Sequence, residues 1–348
     1  MKYSRVFLDA IGYELAPVVV SSEELEARLE PLYRTLRIPP GQLQALTGIE
    51  ERRWWDPGFP LSSGAIAAAH HALEAADVRP DQLGVLIYGG VCRELFEPAT
   101  ACRVAAGVGV GPDTAIHDVS NACLGALNGI VDVANRIELG QIRAGLVVSC
   151  ETSREINEIA IARMLAHPTM DNFRDSLATL TGGSGAVAIV LSDGSFANRD
   201  RRRLRGGVTR AAPEHHALCR WGMAPQGAPA LFEQFMATDS IAVLRHGVAL
   251  GSQTWSAFRS EMGWSVDQVD RVICHQVGSG HRDTVLGALG IDPARDFSTY
   301  PHLGNIGTVS VPLTAAMAEE REFLQPGDRV GFLGIGSGLN CLMLGLEW

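Results

Sequence analysis

Lysine is almost missing from this chain: Lys2 is the sole example, so arginine carries nearly all of the positive charge. Acidic residues outnumber basic ones by 39 to 29 and the net charge is −10. That balance offers no broad cationic face to phosphates and excludes a nucleic-acid binder. No CxxC pair occurs among Cys92, Cys102, Cys123, Cys150, Cys219, Cys274 and Cys341. Their odd number and wide spacing exclude a disulfide framework and a zinc site, and point to reduced thiols in the cytoplasm. No apolar run is long enough to cross a bilayer, and Met1-Lys2-Tyr3-Ser4-Arg5 does not open a signal peptide. A soluble protein without a metal or a bound cofactor is expected.

What is present suits a globular α/β enzyme. The 348 residues are 46% hydrophobic and 20% charged, enough for two domains or one duplicated fold. Short apolar runs alternate with longer amphipathic segments. Strands are predicted at 83–88, 114–119, 144–149, 186–191, 271–275 and 329–333. Helices are predicted at 22–36, 62–76 (capped by Ser62-Ser63), 124–139, 157–165, 231–255, 281–289 and 309–323.

The polar, glycine-containing stretch at 193–207 follows an apolar strand and divides the chain. Residues 1–195 form an N-terminal half that carries Cys123, and 196–348 a C-terminal half that carries His275 and Asn305. ADVRPDQLGVLIYGG around Asp81 can be laid over GWSVDQVDRVICHQV around Asp267, an echo that supports duplication of one unit. Arg201-Arg202-Arg203 reads as a solvated linker, with phosphate or carrier-protein binding as the alternative.

Five stretches carry the chemistry. In DVSNACLGALNG a strand ends near Val119, the chain turns, and Cys123 opens a helix. The turn lifts the sulfur clear of the sheet, and the free N–H groups of a helix N-terminus favour a thiolate and can hold an oxyanion. The alternative is one more small buried residue, as expected of the other six cysteines; the position after a strand and a turn favours a nucleophile. RVICHQVGSGHRD places His275 at a strand end, where it can donate to a thioester carbonyl or exchange protons. His281 falls in the following helix and is a weaker candidate. The pairs His70-His71 and His215-His216 look unremarkable.

YPHLGNIGTVSVPL sets Asn305 between Gly304 and Gly307, so its neutral amide can be aimed at an enolate oxygen. Taken alone it reads rather as a turn residue before a helix. FLGIGSGLN has no Lys-Ser or Lys-Thr and is no P-loop, but a backbone N–H near Ser337 can serve as an oxyanion donor. TLTGGSGA around Gly183 reads as structural packing. CRELFEPATA adds Glu94 and Glu97; Pro98 biases Glu97 to an extended, unburied position, where it is either a solvated loop residue or a base. Phe232, Phe235 and Met236 could line an acyl channel, though such a face is more often core.

Cys123 at a helix start, His275 in C-H-Q, Asn305 in G-N-I-G and a terminal GIGSGLN occur in the order found in thiolase-superfamily condensing enzymes of the ketoacyl synthase III branch. TGIEERRWW, EPATA, DVSNACLGALNG, GGVTR, HLGNIG with VSVP, and LGIGSGLNC resemble most the long-chain olefin biosynthesis thiolases, the OleA type. The resemblance spans nearly the whole chain. It implies a duplicated αβαβα five-layer sandwich and a homodimer. It also implies Cys123 as acylated nucleophile, His275 and Asn305 as the oxyanion pair for the second thioester, and backbone N–H groups of Cys123 and Ser337 for the first. Glu97 matches the glutamate that reaches into the neighbouring subunit and acts as base. A non-decarboxylative Claisen condensation of two fatty acyl-CoA molecules needs such a base, and decarboxylation of malonyl carrier protein does not. The alternatives are a decarboxylating ketoacyl synthase III fed by an acyl carrier protein, acyl transfer to an oxygen or nitrogen acceptor, and a non-catalytic partner subunit. Retention of Cys123, His275 and Asn305 argues against the last.

Overall fold

A computed structural model describes residues 1–196, 202–226 and 231–348. The first half of the chain supplies strands β1 (Phe7–Leu15), β2 (Val18–Ser21), β3 (Glu51–Trp54), β4 (Val85–Gly89), β5 (Ala115–Val119), β6 (Ala144–Glu151) and β7 (Gly185–Ser192). The second supplies β8 (Arg202–Ala211), β9 (Cys219–Gln226), β10 (Leu231–Thr238), β11 (Arg271–Cys274), β12 (Arg329–Gly336) and β13 (Asn340–Glu347). Among them run helices α1 (Ser22–Arg28), α2 (Glu30–Leu36), α3 (Gln42–Thr47), α4 (Leu61–Ala76), α5 (Thr100–Val108) and α6 (Gly125–Glu138). Helices α7 (Arg154–Ala166), α8 (Met170–Leu180), α9 (Ser240–Met262), α10 (Ser279–Leu289), α11 (Tyr300–Leu303) and α12 (Ser310–Glu320) complete the order. No described helix is long and apolar enough to cross a membrane.

One strand order occurs twice. In the first half β1, β7, β6, β4 and β5 lie side by side, with β1–β7 and β7–β6 antiparallel and β6–β4–β5 parallel. In the second, β8, β13, β12 and β11 repeat the pattern, and a parallel bridge from Val272 to Asp296 stands where β5 would. The two sets join through β1 and β8, at Phe7 opposite Arg203 and Leu8 opposite Arg202. The sequence echo falls in register with this repeat. Gln82 and Gln268 each accept the N–H three residues back, from Arg79 and Ser265, both at 2.9 Å, just before β4 and β11.

Side-chain alternation explains the layers. Leu146, Val148 and Cys150 of β6 join Ala186, Ala188 and Val190 of β7 against α4. Val147, Val187 and Ile189 face the opposite way, onto Leu127, Ile130 and Val133 of α6. That same core takes Phe332, Leu342 and Leu344 from the second half, with Val311, Leu313 and Ala315 of α12, so α6 and α12 lie between the two sets of strands. Leu250, Trp255 and Phe258 of α9 and Leu286 and Leu289 of α10 cover the remaining face, on Cys274, Leu333 and Met343. The result is α4–sheet–α6/α12–sheet–α9/α10, the expected thiolase fold.

Three local expectations are corrected. The helix expected over 22–36 breaks into α1 and α2 at Leu29-Glu30, because Pro31 has no N–H to continue the ladder and occupies the first turn of a new helix. Ser62 does not cap α4: its N–H and hydroxyl both donate to Glu94, at 2.8 and 2.7 Å, and that carboxylate serves the helix start from outside. The helix expected over 231–255 begins only at Ser240, where Asp239 accepts the N–H of Ala242 at 2.9 Å. Residues 231–238 instead pair antiparallel with 219–226, so a hairpin partner overrides a pattern that also suits a helix face.

Candidate functional site

Cys123 sits one residue ahead of the cap of α6 and is half-buried. The turn that presents it is strained and braced. Ala122 has φ of 46°, a left-handed conformation that costs a residue with a Cβ about 1–2 kcal/mol. Asn121 holds it from both sides: its Nδ2 donates to Asn128 Oδ1 at 2.8 Å, and its Oδ1 accepts from Asn340 Nδ2 at 3.0 Å. The N–H of Leu124 closes the turn on the Asn121 carbonyl at 2.9 Å.

The expected thiolate is not the resting form. Burial pushes the Cys123 thiol up to about 12, with Cys219 and Glu151 adding to the effect. Desolvation and these two neighbours outweigh the helix N-terminus.

Two segments of the second half meet this turn and the start of α6, and a third is joined to the first of them. The end of β12 comes first: a Cβ placed on Gly336 would stand 3.3 Å from the Cys123 nitrogen. Ser337, half-buried, opens the tight turn from Gly336 to Asn340 at that point. Second, the β11 end carries His275, whose N–H donates to Leu333 of β12 at 2.9 Å. Third, the turn after α11 carries Asn305, and Thr308, three residues on, accepts the N–H of Ala126 in α6 at 2.9 Å.

His275 is 6% exposed, and burial, helped by nearby His281, lowers its ring to about 3. It is a neutral imidazole at neutral pH, able to donate from one nitrogen. Its Nδ1 is sealed from solvent and has no hydrogen-bond partner among the described residues. His281, half-buried and lowered to about 4 by burial, lines the same 30 Å³ cavity as His275, together with Gly247, Gly251 and Leu333. The weaker histidine candidate therefore lies beside the stronger.

Asn305 is docked by its backbone and aimed by its side chain. Its N–H donates to Thr181 at 2.8 Å and its carbonyl accepts from Gly183 at 2.9 Å. Its Oδ1 accepts the N–H of Gly307 at 3.1 Å, which leaves the Nδ2 hydrogens as the free donors. Gly183 is essential to this fit, since a Cβ there would come within 1.9 Å of the Leu303 carbonyl oxygen. The TLTGGSGA turn thus packs as expected and forms the shelf on which Asn305 rests.

Glu97 is exposed, and no hydrogen bond or ion pair holds it among the described residues; Leu95 and Phe96 beside it are 59% and 97% exposed. Glu94, its companion in the motif, is spent on Ser62 and on an ion pair with Arg103 at 3.0 Å. The arginine run is structural where it is described. Arg202 pairs with Glu319 and lies over Trp348, and Arg203 donates to the Ser4 carbonyl at 2.9 Å. Arg201 lies outside the described residues, as does the side chain of Phe232. Phe235 and Met236 are half-buried on β10, which packs against α7 and α8. Among the other cysteines Cys102 is exposed, against expectation, and Cys219 is half-buried.

Two supporting residues escaped sequence reasoning. Gln276 ties β11 to the segment leading to Asn305: its Oε1 accepts from Thr299 and Tyr300 and its Nε2 donates to Phe297, all at 2.8 Å. Its place beside His275 was the one available signal. Glu151, at the end of β6, is buried against the Asn305 turn, with no motif to mark it.

Comparison with known proteins shows the family. Residues 62–179 match the thiolase N-terminal domain, and 260–348 match the C-terminal part of 3-oxoacyl-[acyl-carrier-protein] synthase III. An acyl-CoA:acyl-CoA alkyltransferase from Shewanella oneidensis is 59% identical over the full length of both chains. A β-ketoacyl-[acyl-carrier-protein] synthase III from Streptomyces coelicolor is 30% identical, over 98% of this chain and 96% of that one. The crystal structure of a Cys-to-Ser variant of OleA from Xanthomonas campestris, with bound lauric acid and lauroyl-CoA, superposes with a TM-score of 0.92 at 36% identity, covering 99% of this chain and 100% of that one. The chain belongs to the acyl-CoA:acyl-CoA alkyltransferases, the OleA type of thiolase-fold condensing enzyme.

Proposed function

We propose that this chain joins two fatty acyl-CoA thioesters into a β-keto acyl-CoA by a non-decarboxylative Claisen condensation through an acyl group on Cys123. The Cys123 sulfur attacks the first thioester, its proton passes to the departing CoA sulfur, and backbone N–H groups of Cys123 and Ser337 hold the tetrahedral oxygen. The second acyl-CoA then lays its carbonyl oxygen against His275 and Asn305. Glu97 takes a proton from the α carbon, and the enolate carbon attacks the acyl-cysteine. The C–S bond breaks, and the proton held by Glu97 returns to the Cys123 sulfur.

The observation that carries this reading is that both candidate donors are neutral: burial keeps the His275 ring uncharged, and Asn305, its Oδ1 held by Gly307, offers its Nδ2 amide. Neutral donors stabilise an enolate oxygen that develops charge without binding a resting anion. The high thiol pKa of Cys123 makes it a ready proton acceptor at the end of the cycle. Glu97 stands on an exposed loop beside Phe96, which suits insertion into a second copy of the chain, and β5 is an edge strand with Ile116 exposed. A homodimer fits these features; the same reading takes the two halves as 1–195 and 196–348, the compartment as the cytoplasm, and no bound cofactor.

The test separates loading from carbon–carbon bond formation. Incubated with lauroyl-CoA, the wild type should show an acyl adduct on Cys123 by intact mass and release a β-keto product. Glu97→Gln should load at close to the wild-type rate and release none. Turnover that requires a malonyl donor and liberates CO2 would assign the protein to the ketoacyl synthase III reaction instead.

A further inference from the structure

One buried carboxylate has no part in the scheme above. Glu151 ends β6, is 4% exposed, and is paired with no arginine, lysine or histidine among the described residues. An ion buried without a counter-charge costs several kcal/mol, and such groups concentrate where chemistry is done. Its Oε1 accepts the N–H of Val91 at 2.8 Å and its Oε2 that of Cys92 at 3.1 Å. Those two residues begin the loop that runs from β4 to Glu97.

The carboxylate also lies beside Gly90, which packs on the start of α6, and its stem lies beside Gly307. A Cβ on Gly90 would lie 3.1 Å from Oε1, and one on Gly125, two residues past Cys123, would lie 2.8 Å from the Gly90 nitrogen. From the opposite direction, a Cβ on Gly307 would stand 3.4 Å from the Glu151 Cγ. The titratable groups around it are Cys92, Cys150 on its own strand, Tyr88 of β4 and Cys123. None of them supplies positive charge, and burial holds the Glu151 carboxyl above its usual range.

We propose that Glu151 is a positioning residue for the condensation step, tying the loop that bears Glu97 to the turn that bears Asn305 while its charge opposes a thiolate at Cys123. The loop part of this rests on the reading of Glu97 as the base.

Two variants separate the tie from the charge. Glu151→Gln removes the charge and turns a donor amide toward one of the two loop N–H groups; Glu151→Asp keeps the charge but falls a methylene short. The readouts are iodoacetamide alkylation of Cys123 against pH, and single-turnover loading and condensation with lauroyl-CoA. In Glu151→Gln the alkylation profile should move to lower pH by about one unit, and in Glu151→Asp it should stay in place. Both should load within about threefold of wild type and condense about tenfold or more slowly, as expected of a displaced base. An unmoved alkylation profile in Glu151→Gln, or equal losses of loading and condensation in both variants, overturns the proposal. Should the wild type load but never condense, the Claisen reading fails instead, and the alkylation shift still decides the role of the charge.

Discussion

The hydroxyl oxygen of Thr308 accepts the backbone N–H of Ala126 at 2.9 Å. One half of the chain thereby caps the helix that follows Cys123 in the other half. Both groups are buried, so the bond cannot be replaced by water. Thr308→Val keeps the shape and removes the acceptor. It should cost about 1–2 kcal/mol of stability, read by urea unfolding, and Thr308→Ser should restore most of it.

The thiol at Cys123, raised to about 12, sets a second expectation. A raised pKa means a smaller thiolate fraction at any pH below it. Alkylation of resting enzyme by iodoacetamide should therefore climb with pH and show no plateau below about pH 10, unlike a thiolate-based nucleophile. A plateau near pH 7, followed by mass spectrometry of the peptide holding Cys123, would contradict the buried environment described here.

Asn305 donates from an amide fixed by Gly307. Asn305→Asp puts an acceptor, and a negative charge, where the proposed reading seats the enolate oxygen. Condensation should fall by about 10²–10³, the usual effect of losing one oxyanion donor. Loading of Cys123 should suffer far less, because the first oxyanion is held elsewhere. Quenched-flow measurement of the two steps checks the split.

Gly183 lies under the same turn, and a Cβ would meet the Leu303 carbonyl oxygen at 1.9 Å. Gly183→Ala cannot be absorbed by a side-chain rotation. It should displace the segment carrying Asn305, lower the thermal midpoint by several degrees and reduce condensation more than loading.

Neutral His275 and His281 give a pH dependence of stability. Both rings are lowered on folding, to about 3 and about 4, from an unfolded value of about 6.5. Below that value the unfolded chain binds protons that the folded chain refuses. Stability should be fully present above about pH 6.5 and fall progressively as the pH drops toward 4, and His281→Gln should flatten the fall in urea titrations.

Much of this site was legible because its residues stand at the ends of regular elements. Cys123 follows a strand and a turn, His275 ends a strand, and Asn305 is flanked by glycines whose φ of 65° and 60° the turn requires. The electrostatics were not legible. Helix position alone suggested a thiolate at Cys123, whereas burial, with Cys219 and then Glu151 adding to it, favours the thiol. Glu151 and Thr308 act through partners 59 and 182 residues away in sequence, and no local pattern announces such contacts. The segment at 231–238 was misread because its apolar spacing fits a helix face as well as a hairpin strand, and only the partner at 219–226 resolves it. Strand β1 went unseen because its FLDAIGYEL is punctuated by Asp9 and Gly12; a Cβ at Gly12 would collide with α4 at 2.4 Å, so close packing demands the glycine that weakens the strand signal.

The repeated strand order has a consequence for how the protein can change. Corresponding strands β4 and β11 feed different equipment: one leads to the loop with Glu97, the other to His275. On the proposed reading the corresponding positions divide the labour, so a fragment comprising either repeat alone would own a tether for the acyl group or a polariser for its partner, never both. Splitting the polypeptide near its middle is thus tolerable only if the pieces reassemble, and restoration of turnover on mixing would report that reassembly directly.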